Sequence, residues 1–347
     1  DNDNDNDNDK EEEAVMECVW DAEEEWQVAE RLFGGWREKK ASSFCLAVPA
    51  MKRPEALERL ATVLSSFSNQ PFVVVKCEFH PDAPAPYIQI KMLDSTNQNK
   101  VGVRPILPQE ETVKENMAQW VDGFLGRNRL CPYTSSMRAS AVGLSSVGVS
   151  TGPVGLRVSY CLKQEEGFLL LDAVWTCIRE LMETPESELA TILLSVPAYD
   201  DDWNAFSHVC DSIVEPTLEA MGITQTCIGR AWFHPLYNTT SVGHDTVLPG
   251  HAIPHTMVHN FVSSSSTTTM DASNVLSLDQ VSKANDLVRQ TPHATINLLR
   301  RSQLNAAAQY EASLGTNDRP PPNSVYVRNV RQLTPPPSQP QLRGDCL

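Results

Sequence analysis

The sequence lacks the signatures of several large protein classes. Its apolar runs all fall short of the roughly 18 residues that a membrane-spanning helix needs, so membrane insertion is not expected. Basic residues form no stripe and no pattern with aromatic residues, so nucleic acid is not an expected partner. Walker loops, dinucleotide fingerprints, Cys-x-x-Cys pairs and His-Glu-x-x-His segments are absent as well. Nucleotide-driven chemistry and standard zinc proteolysis therefore have no support.

Cysteine pairing is also missing from the sequence. The nine cysteines are odd in number and scattered without short paired spacing, which is typical of reduced thiols. The sequence therefore predicts a reducing compartment. Because the chain begins at Asp1 rather than at Met, we expect a processed form or a fragment. The compartment is then the cytoplasm or, if a targeting peptide was removed, an organellar stroma or matrix.

Charge is unevenly distributed along the chain. The net charge is -16, but residues 1–30 hold fourteen acidic residues and one basic residue, which leaves only -3 for the remainder. The acidity is thus a property of the beginning of the chain and carries little information about a partner. With 41% hydrophobic residues the rest can bury a sizeable core, so wholesale disorder is not expected.

The chain carries the same ordered signals twice. The first set is the strand-like "SFCLAVPAM" at 43–51, an amphipathic helix, and an apolar strand that ends in Phe-His-Pro at 79–81. The second set is "TILLSVPAY" at 191–199, another helix, and Phe-His-Pro at 233–235. Strand–helix–strand order with helical crossovers favours parallel pairing. We predict an α/β fold of two pseudo-repeated βαβαβ units with mostly parallel sheets covered by helices. The alternative is two unrelated units that share common turn residues.

Composition places the boundaries of these units. We expect a disordered acidic tail over residues 1–13, a degenerate α/β repeat over 14–112, a second α/β domain over 113–333, and a disordered proline-rich tail over 334–347. The second domain contains a low-complexity stretch rich in Ser and Thr, which predicts an insertion over about 241–283.

Four segments stand out in order along the second half of the chain: "NRLCPY" at 128–133, "WFHPLYN" at 232–238, "RQTPHATINLLRRSQL" at 289–304 and "VYVRNVRQL" at 325–333. Through these segments, residues from about 115 to 333 resemble a bacterial family known only as domain of unknown function fourteen-fifteen. The chain departs from the family pattern at Asn297, where the family often has His, and at His293, where it often has Tyr. The resemblance implies an α/β fold and motif positions but no established reaction. It also implies that the first repeat, which has no counterpart of "LCPY", is a non-catalytic copy.

Two residues on these motifs are candidate catalytic groups. Cys131 follows a predicted helix end, where a thiol can act as a nucleophile or a metal ligand. His234 ends a predicted strand, which is where α/β folds place ligands. A Cys131–His234 pair would support thiol-based group transfer. The alternatives are an inert buried cysteine and a histidine whose ring bonds a backbone carbonyl.

A second group of residues predicts a ligand-binding segment. Thr291 and the following Pro indicate a helix start whose amides could bind a carboxylate or phosphate, with Arg289, His293 and Arg300 beside it. Ordinary surface arginines are the competing interpretation.

Histidine is concentrated in the predicted insertion. His251, His255 and His259 recur every four residues, which would place them on one helical face suited to zinc. Pro254 interrupts that helix, so a solvated histidine-rich loop is the favoured interpretation and no metal is assigned.

Three function classes remain open from the sequence. The first is a small-molecule enzyme with a Cys/His site in the second half of the chain. The second is a non-catalytic binding or assembly protein that has a protein partner and is built from the duplicated unit. The third is a metal-binding protein that uses the histidine-rich insertion. The sequence indicates neither the substrate nor a cofactor.

Overall fold

The computed structural model describes residues 27, 29, 33, 43–47, 54–66, 75–80, 87–92, 106–161, 167–238, 277–313 and 325–334. These residues belong to two compact units of the chain, Asp1–Val101 and Gly102–Leu347. The predicted acidic tail and almost all of the predicted proline-rich tail lie outside the described residues. The same is true of His251, His255 and His259.

The Asp1–Val101 unit contains an antiparallel sheet and a helix. In chain order its elements are β1 (Ser43–Ala47), α1 (Pro54–Ser66), β2 (Val75–His80) and β3 (Tyr87–Met92). The strand order is β1–β3–β2, and β3 pairs antiparallel with both neighbours. Ala56, Leu60 and Leu64 of α1 are fully buried four residues apart, which is the apolar stripe of an amphipathic helix. This helix contacts β2.

The Gly102–Leu347 unit combines a larger sheet with helices on its faces. Its helices are α2 (Glu110–Gln119), α3 (Gly167–Glu183), α4 (Trp203–Val209), α5 (Glu215–Ala220), α6 (Ile223–Thr226), α7 (Leu278–Arg289), α8 (Arg301–Ser313) and α9 (Val325–Leu333). Its strands are β4 (Thr134–Ser136), β5 (Ala139–Ser140), β6 (Val154–Val158), β7 (Thr191–Ser195), β8 (Ile228–Phe233) and β9 (Thr295–Arg300). α2 continues directly into a π-helical turn at Trp120–Gly126.

The four-stranded sheet of this unit is mixed. Its strand order is β6–β7–β9–β8. Only the β6–β7 pair among these strands is parallel, because β9 runs antiparallel to both β7 and β8. The α/β class is confirmed, but the predicted mostly parallel pairing is wrong in both units. The structure does not support two repeated βαβαβ units, since the last strand of each unit runs antiparallel between the two strands that precede it: β3 between β1 and β2, and β9 between β7 and β8.

The direction of β9 follows from where the chain re-enters the sheet. α7 ends beside the end of β8, where the His234 amide donates to the Arg289 carbonyl at 3.1 Å. The Val196 amide donates to the Ala294 carbonyl at 2.7 Å, just beyond the end of β7. β9 therefore starts at the sheet edge where β7 and β8 end, and it can only run back against them. No motif in the sequence specifies this entry point.

α7 begins within the segment that was predicted to be an insertion. Ser277 is its N-cap and forms a capping box with Gln280, in which each side chain bonds the other residue's backbone amide. Residues 277–283 of the predicted insertion at 241–283 thus form the N-cap and the first turns of this helix.

The two faces of the mixed sheet have different surroundings. Ile192, Leu194, Ile296 and Leu298 lie on one face and are almost completely buried, and α3 contacts β7 and β9. Side chains alternate between faces along a strand, so the intervening residues lie on the opposite face. There Leu193 packs in a cluster with residues of α2, α7 and α9. Among the described residues, no helix is long and apolar enough to cross a membrane.

Candidate functional site

A cavity of about 410 Å³ lies on the second face of the mixed sheet. All four strands contribute to its floor, through Val154, Thr191, Leu193, Ala231, Phe233, Asn297 and Leu299. Trp120, Val121 and Leu125 of the π-helical turn form a wall, and residues of α7 and α8 close the ends. The lining residues Asn305 and Ala308 are exposed, so the cavity opens to solvent beside α8.

The charged side chains that line the cavity are both cationic among the described residues. Arg289 and Arg301 line it, whereas no Asp or Glu does so among the residues that the structure describes. Its uncharged polar lining residues are Cys131, Tyr133, Thr134, Ser140, Thr191, Asn297, Gln303 and Asn305. Two guanidinium groups in an enclosed, mostly apolar space create a positive potential there, because low polarity weakens screening.

Arg289 is held rigidly at the end of α7. Only 3% of it is exposed, and its Nη1 donates to the Tyr237 hydroxyl at 2.7 Å. The Cζ atom also lies 5.3 Å from the centre of the Tyr237 ring. Burial lowers the pKa of Arg289 below its usual value and raises the pKa of Tyr237. Within the described part of the chain, no carboxylate lies within ion-pair distance of this guanidinium, and the Asp286 carboxylate on the same helix favours its charged form only from farther away.

Arg301 lines the cavity from the first position of α8. Its backbone amide donates to the Cys227 carbonyl at 2.8 Å, and its Nε is buried without a hydrogen-bond partner among the described residues. A buried N–H without an acceptor costs stability, roughly 1–3 kcal/mol. The first turn of α8 adds the positive end of a helix dipole to the same region. Arg301 therefore adds a second positive charge to the cavity lining, while its unpartnered Nε is buried.

The floor offers an amide at its centre. The Thr191 hydroxyl donates to Asn297 Oδ1 at 2.9 Å, and it also lies 2.7 Å from the Leu298 carbonyl oxygen. This contact uses the acceptor of the Asn297 amide and leaves its NH₂ group as a donor at the cavity. Asn297 thus presents an uncharged donor to the cavity.

Cys131 reaches the cavity from the loop after the π-helical turn. Its exposed fraction is 7%, and its Sγ accepts a hydrogen bond from the Thr134 amide at 3.0 Å. Two features shape the loop: Arg129 adopts a left-handed φ of 52°, and a Cβ at Gly126 would collide with the Ser135 carbonyl. Cys131 lines the cavity, and no acid or histidine lines it with Cys131 among the residues that the structure describes.

The "VYVRNVRQL" helix supports the cysteine loop. Asn329 Nδ2 donates to the Leu130 carbonyl at 2.7 Å, and Arg328 donates to the Arg129 carbonyl. Two motifs almost two hundred residues apart in sequence thus meet in one structural element. The central Arg-Asn pair has a local structural role.

His234 does not join Cys131. Its Nε2 lies 2.8 Å from the Tyr199 carbonyl oxygen, and its Nδ1 accepts from the Leu236 amide at 3.0 Å. The ring is fully buried against Trp203 and Phe206, and it does not line the cavity. Both ring nitrogens are thus occupied by the backbone. These contacts close the turn after β8, and the catalytic Cys131–His234 pair stays a prediction.

His293 lies in a separate polar cluster at the same sheet edge. Its Nδ1 is 2.7 Å from Asp200 Oδ2, and its Nε2 is 3.2 Å from Asn116 Nδ2. The other oxygen of Asp200 accepts from the Ala294 amide at 2.7 Å. This arrangement joins α2, the segment after β7 and the start of β9. His293 does not line the cavity.

Thr291 and Arg300 have structural contacts in place of the predicted ligand contacts. Thr291 is fully buried and donates from its hydroxyl to the His293 carbonyl at 2.7 Å. The segment leads into β9 and not into a helix, so the predicted helix start is wrong. Arg300 lies on the opposite face of the sheet, where its Nη2 donates to the Leu189 carbonyl at 2.9 Å. Neither side chain lines the cavity.

Sequence reasoning missed Arg301 and Asn297. Arg300 and Arg301 are adjacent, and a one-residue difference in strand register exchanges the faces of a sheet. Without the register of β9, nothing in "LLRRSQL" distinguishes the cavity arginine from the structural one. Among the described residues, no group of three or more His, Cys, Asp or Glu could hold a metal ion.

Comparison with known proteins gives one match. Residues 112–259 match the model of a family described as Protein of unknown function (DUF1415). The match supports the resemblance seen in the sequence and includes Cys131 and His234, but it ends before Arg289, Asn297 and Arg301. No curated protein and no solved structure matches the chain.

Proposed function

We propose that the Gly102–Leu347 unit binds a small carboxylate-bearing molecule with an apolar body in the cavity on its sheet. The observation that carries this proposal is Arg289, a guanidinium that is 3% exposed, lines the cavity and has no carboxylate within ion-pair distance among the described residues. Burying an unpaired charge is costly, and its energy is recovered when a counter-ion binds. A ligand carboxylate would supply that counter-ion.

The contacts of Arg289 suit a carboxylate. Tyr237 uses one terminal nitrogen and stacks against the guanidinium, which fixes its plane. The remaining N–H groups keep the planar arrangement that can donate to two carboxylate oxygens at once. Lysine in this place would supply a point charge without that geometry.

The rest of the lining suits an apolar ligand body. Trp120, Leu125, Leu193, Phe233 and Leu299 are all lining residues. Water gains few hydrogen bonds against such a surface, so an apolar group that displaces it is stabilised. The combination favours an organic acid over a small hydrated anion such as inorganic phosphate.

Thiol chemistry on the same ligand is a second candidate function. Cys131 lines the cavity together with Arg289, and a thiol there could attack a carbonyl carbon of a bound substrate. Such catalysis ordinarily needs a neighbouring base, and no His, Asp or Glu lines the cavity among the described residues. Binding is therefore the better supported role, and catalysis by Cys131 is the alternative.

We also infer that the two units arose by duplication. In both, the last strand lies between the other two and runs antiparallel to them. Thr295 pairs with residues of both β7 and β8, and Tyr87 pairs likewise with residues of β1 and β2. "PAPYIQI" at 84–90 and "PHATINL" at 292–298 agree at Pro, at Ile and in an amide residue.

This alignment places the ligand site in one unit only. In the first copy only six residues separate β2 from β3, too few for a counterpart of α7 and its Arg289, and Leu93 stands at the position of Arg301. The Asp1–Val101 unit therefore lacks both cations. We propose a non-catalytic role for it that does not involve the same ligand.

Calorimetric titration of the full chain tests the binding function. Octanoate is compared with octanamide, which has the same length and no charge. We expect octanoate to bind and octanamide to bind at least tenfold more weakly, and we expect Arg289→Met to remove the difference. Equal binding of the two compounds by the unaltered protein would contradict the proposal.

A further inference from the structure

We infer that the ligand of this cavity carries two anionic groups, one at each end of an apolar chain. The inference rests on the proposed carboxylate-binding function and extends it to a class of ligand. It follows from where the two cavity arginines are attached to the sheet.

Arg289 and Arg301 are anchored at opposite ends of β8. The Arg289 carbonyl accepts from the amide of His234, the residue directly after β8. The Arg301 amide donates to the carbonyl of Cys227, the residue directly before β8. Seven residue steps of extended chain separate these two anchors, or about 23 Å at 3.3 Å per residue. The two arginines therefore enter the cavity from opposite ends.

The floor between the arginines is mostly apolar. Ala231 and Phe233 of β8 and Leu299 of β9 line the cavity along this direction, and the Asn297 amide is the polar group at the centre. A ligand lying along β8 would thus contact hydrocarbon in its middle and cations at its ends. The Asn297 NH₂ group could donate to a carbonyl or hydroxyl oxygen in the chain.

The two ends of the cavity differ in exposure. Arg289 is 3% exposed, whereas Arg301 is half-buried and belongs to the same helix as Asn305 and Ala308 at the opening. One anionic group would therefore lie at the closed end against Arg289, and the second near the opening against Arg301. A long ligand could enter with either group first.

A single ligand carboxylate would not neutralise both cavity arginines, and no acid lines the cavity among the described residues. A ligand with one anionic group would compensate one arginine and leave the other unpaired in the same low-polarity space. Arg301 lines the cavity and forms no ion pair with an acid within the described part of the chain. A second anionic group would supply that counter-ion and reduce the repulsion between the two guanidinium groups.

These observations define a ligand class: a linear molecule with an anionic group at each end. Dicarboxylates with an apolar chain are the simplest members. A carboxylate whose far end carries a phosphate shares the same chemistry. The two sources differ in the charge and size of the group at the opening.

Paired ligands of equal length test this inference. The full chain is titrated calorimetrically with adipate against hexanoate, suberate against octanoate, and sebacate against decanoate. We expect each dicarboxylate of sufficient length to bind roughly tenfold or more tightly than its monocarboxylate, as for an added charge-assisted contact. Affinity should pass through a maximum with dicarboxylate length, because only one span fits both arginines.

Variants at the two arginines separate the two ends. Arg301→Met should bring the ratio of suberate affinity to octanoate affinity close to one. Arg289→Met should weaken both ligands. Arg300→Met is the matched control, because Arg300 is adjacent in sequence but lies outside the cavity. A phosphate at the opening is favoured instead if an eight-carbon carboxylate with a terminal phosphate binds more tightly than suberate, and that result also depends on Arg301.

The outcomes distinguish failure of this inference from failure of the proposed carboxylate-binding function. If no carboxylate of either kind binds, the proposed function is wrong and the inference falls with it. If octanoate binds and no dicarboxylate binds more tightly, only the two-headed ligand is overturned. If suberate binds and octanoate does not, both are supported. Should Arg289→Met fail to fold, the unaltered protein and Arg301→Met still decide the question.

Discussion

Asn329 donates a hydrogen bond from its side chain to the carbonyl of Leu130 at 2.7 Å. It is 2% exposed, and through this bond α9 fixes the residue that precedes Cys131. The cysteine loop therefore depends on a helix at the far end of the sequence. Four predictions follow from this and related contacts.

Replacing Asn329 with Leu should loosen the Cys131 loop. The change removes the donor to Leu130 and leaves a buried carbonyl unpaired, which should lower the free energy of unfolding by about 1–3 kcal/mol. Urea denaturation measures that loss. Alkylation of Cys131 by iodoacetamide, followed by mass spectrometry, should also become faster. Gln332→Ala on the same helix is the control, and equal alkylation rates in both variants would contradict the role of Asn329.

Ligand should protect Cys131 from alkylation. Cys131 lines the cavity, whereas Cys177 and Cys210 are buried and do not line it. We expect iodoacetamide to modify Cys131 ahead of those two, and saturating octanoate to slow the reaction at Cys131 at least several-fold. Octanamide at the same concentration is the control. If octanoate gave no protection although it binds calorimetrically, the ligand would occupy another place.

His234→Ala should impair stability and not ligand binding. The ring fills space between Trp203 and Phe206 and bonds two backbone groups, so its removal should cost about 3 kcal/mol of unfolding free energy. Below its lowered melting temperature the variant should still bind octanoate normally. His208→Ala, at an exposed histidine, is the control for stability. A fully stable His234→Ala protein that had lost octanoate binding would indicate that His234 belongs to the ligand site.

Stability should fall in alkaline solution as buried thiols ionise. Burial raises the pKa of Cys177 from 9.0 to about 12 and raises the pKa of Cys210 well above 9.0. The folded state therefore holds these protons more tightly than the unfolded state. Their stabilising contribution is complete below pH 9 and is lost as the pH rises toward the folded-state values, at about 1.4 kcal/mol per pH unit for each thiol.

Cys177→Ala tests this pH dependence through the slope of the unfolding free energy against pH. The variant loses some packing at every pH, but above pH 9 its unfolding free energy should fall less steeply, by one thiol's share. Cys227→Ala, at a half-buried cysteine, is the matched control. Chemical denaturation between pH 8 and pH 10.5 measures both slopes. Parallel curves for Cys177→Ala and the unaltered protein would show that Cys177 does not contribute.

The sequence allowed prediction of the strands more reliably than of their directions. Val-Pro-Ala and Phe-His-Pro correctly mark the ends of β1, β2, β7 and β8, because proline ends regular pairing locally. The direction of β9 depends on the entry point beside His234, which is a tertiary contact. Local patterns therefore could not distinguish a parallel return from an antiparallel one.

The residues of the candidate site were also only partly predictable from the sequence. Cys131 and Arg289 were selected from motifs and both line the cavity, so their functional roles stay predictions with a common location. Arg300 was selected in place of Arg301 because the face of a residue depends on register. His234 was selected because a histidine at a strand end looks the same in sequence whether its ring bonds the backbone or a ligand.

The central place of β9 has a consequence for how the unit is made. Among the described strands, β8 joins the sheet only through β9, which follows it by more than sixty residues in sequence. During synthesis β7 and β8 therefore each keep an unpaired edge until residues 295–300 emerge from the ribosome. A fragment cut at residue 259, where the family match ends, would never receive this strand and should aggregate through those edges.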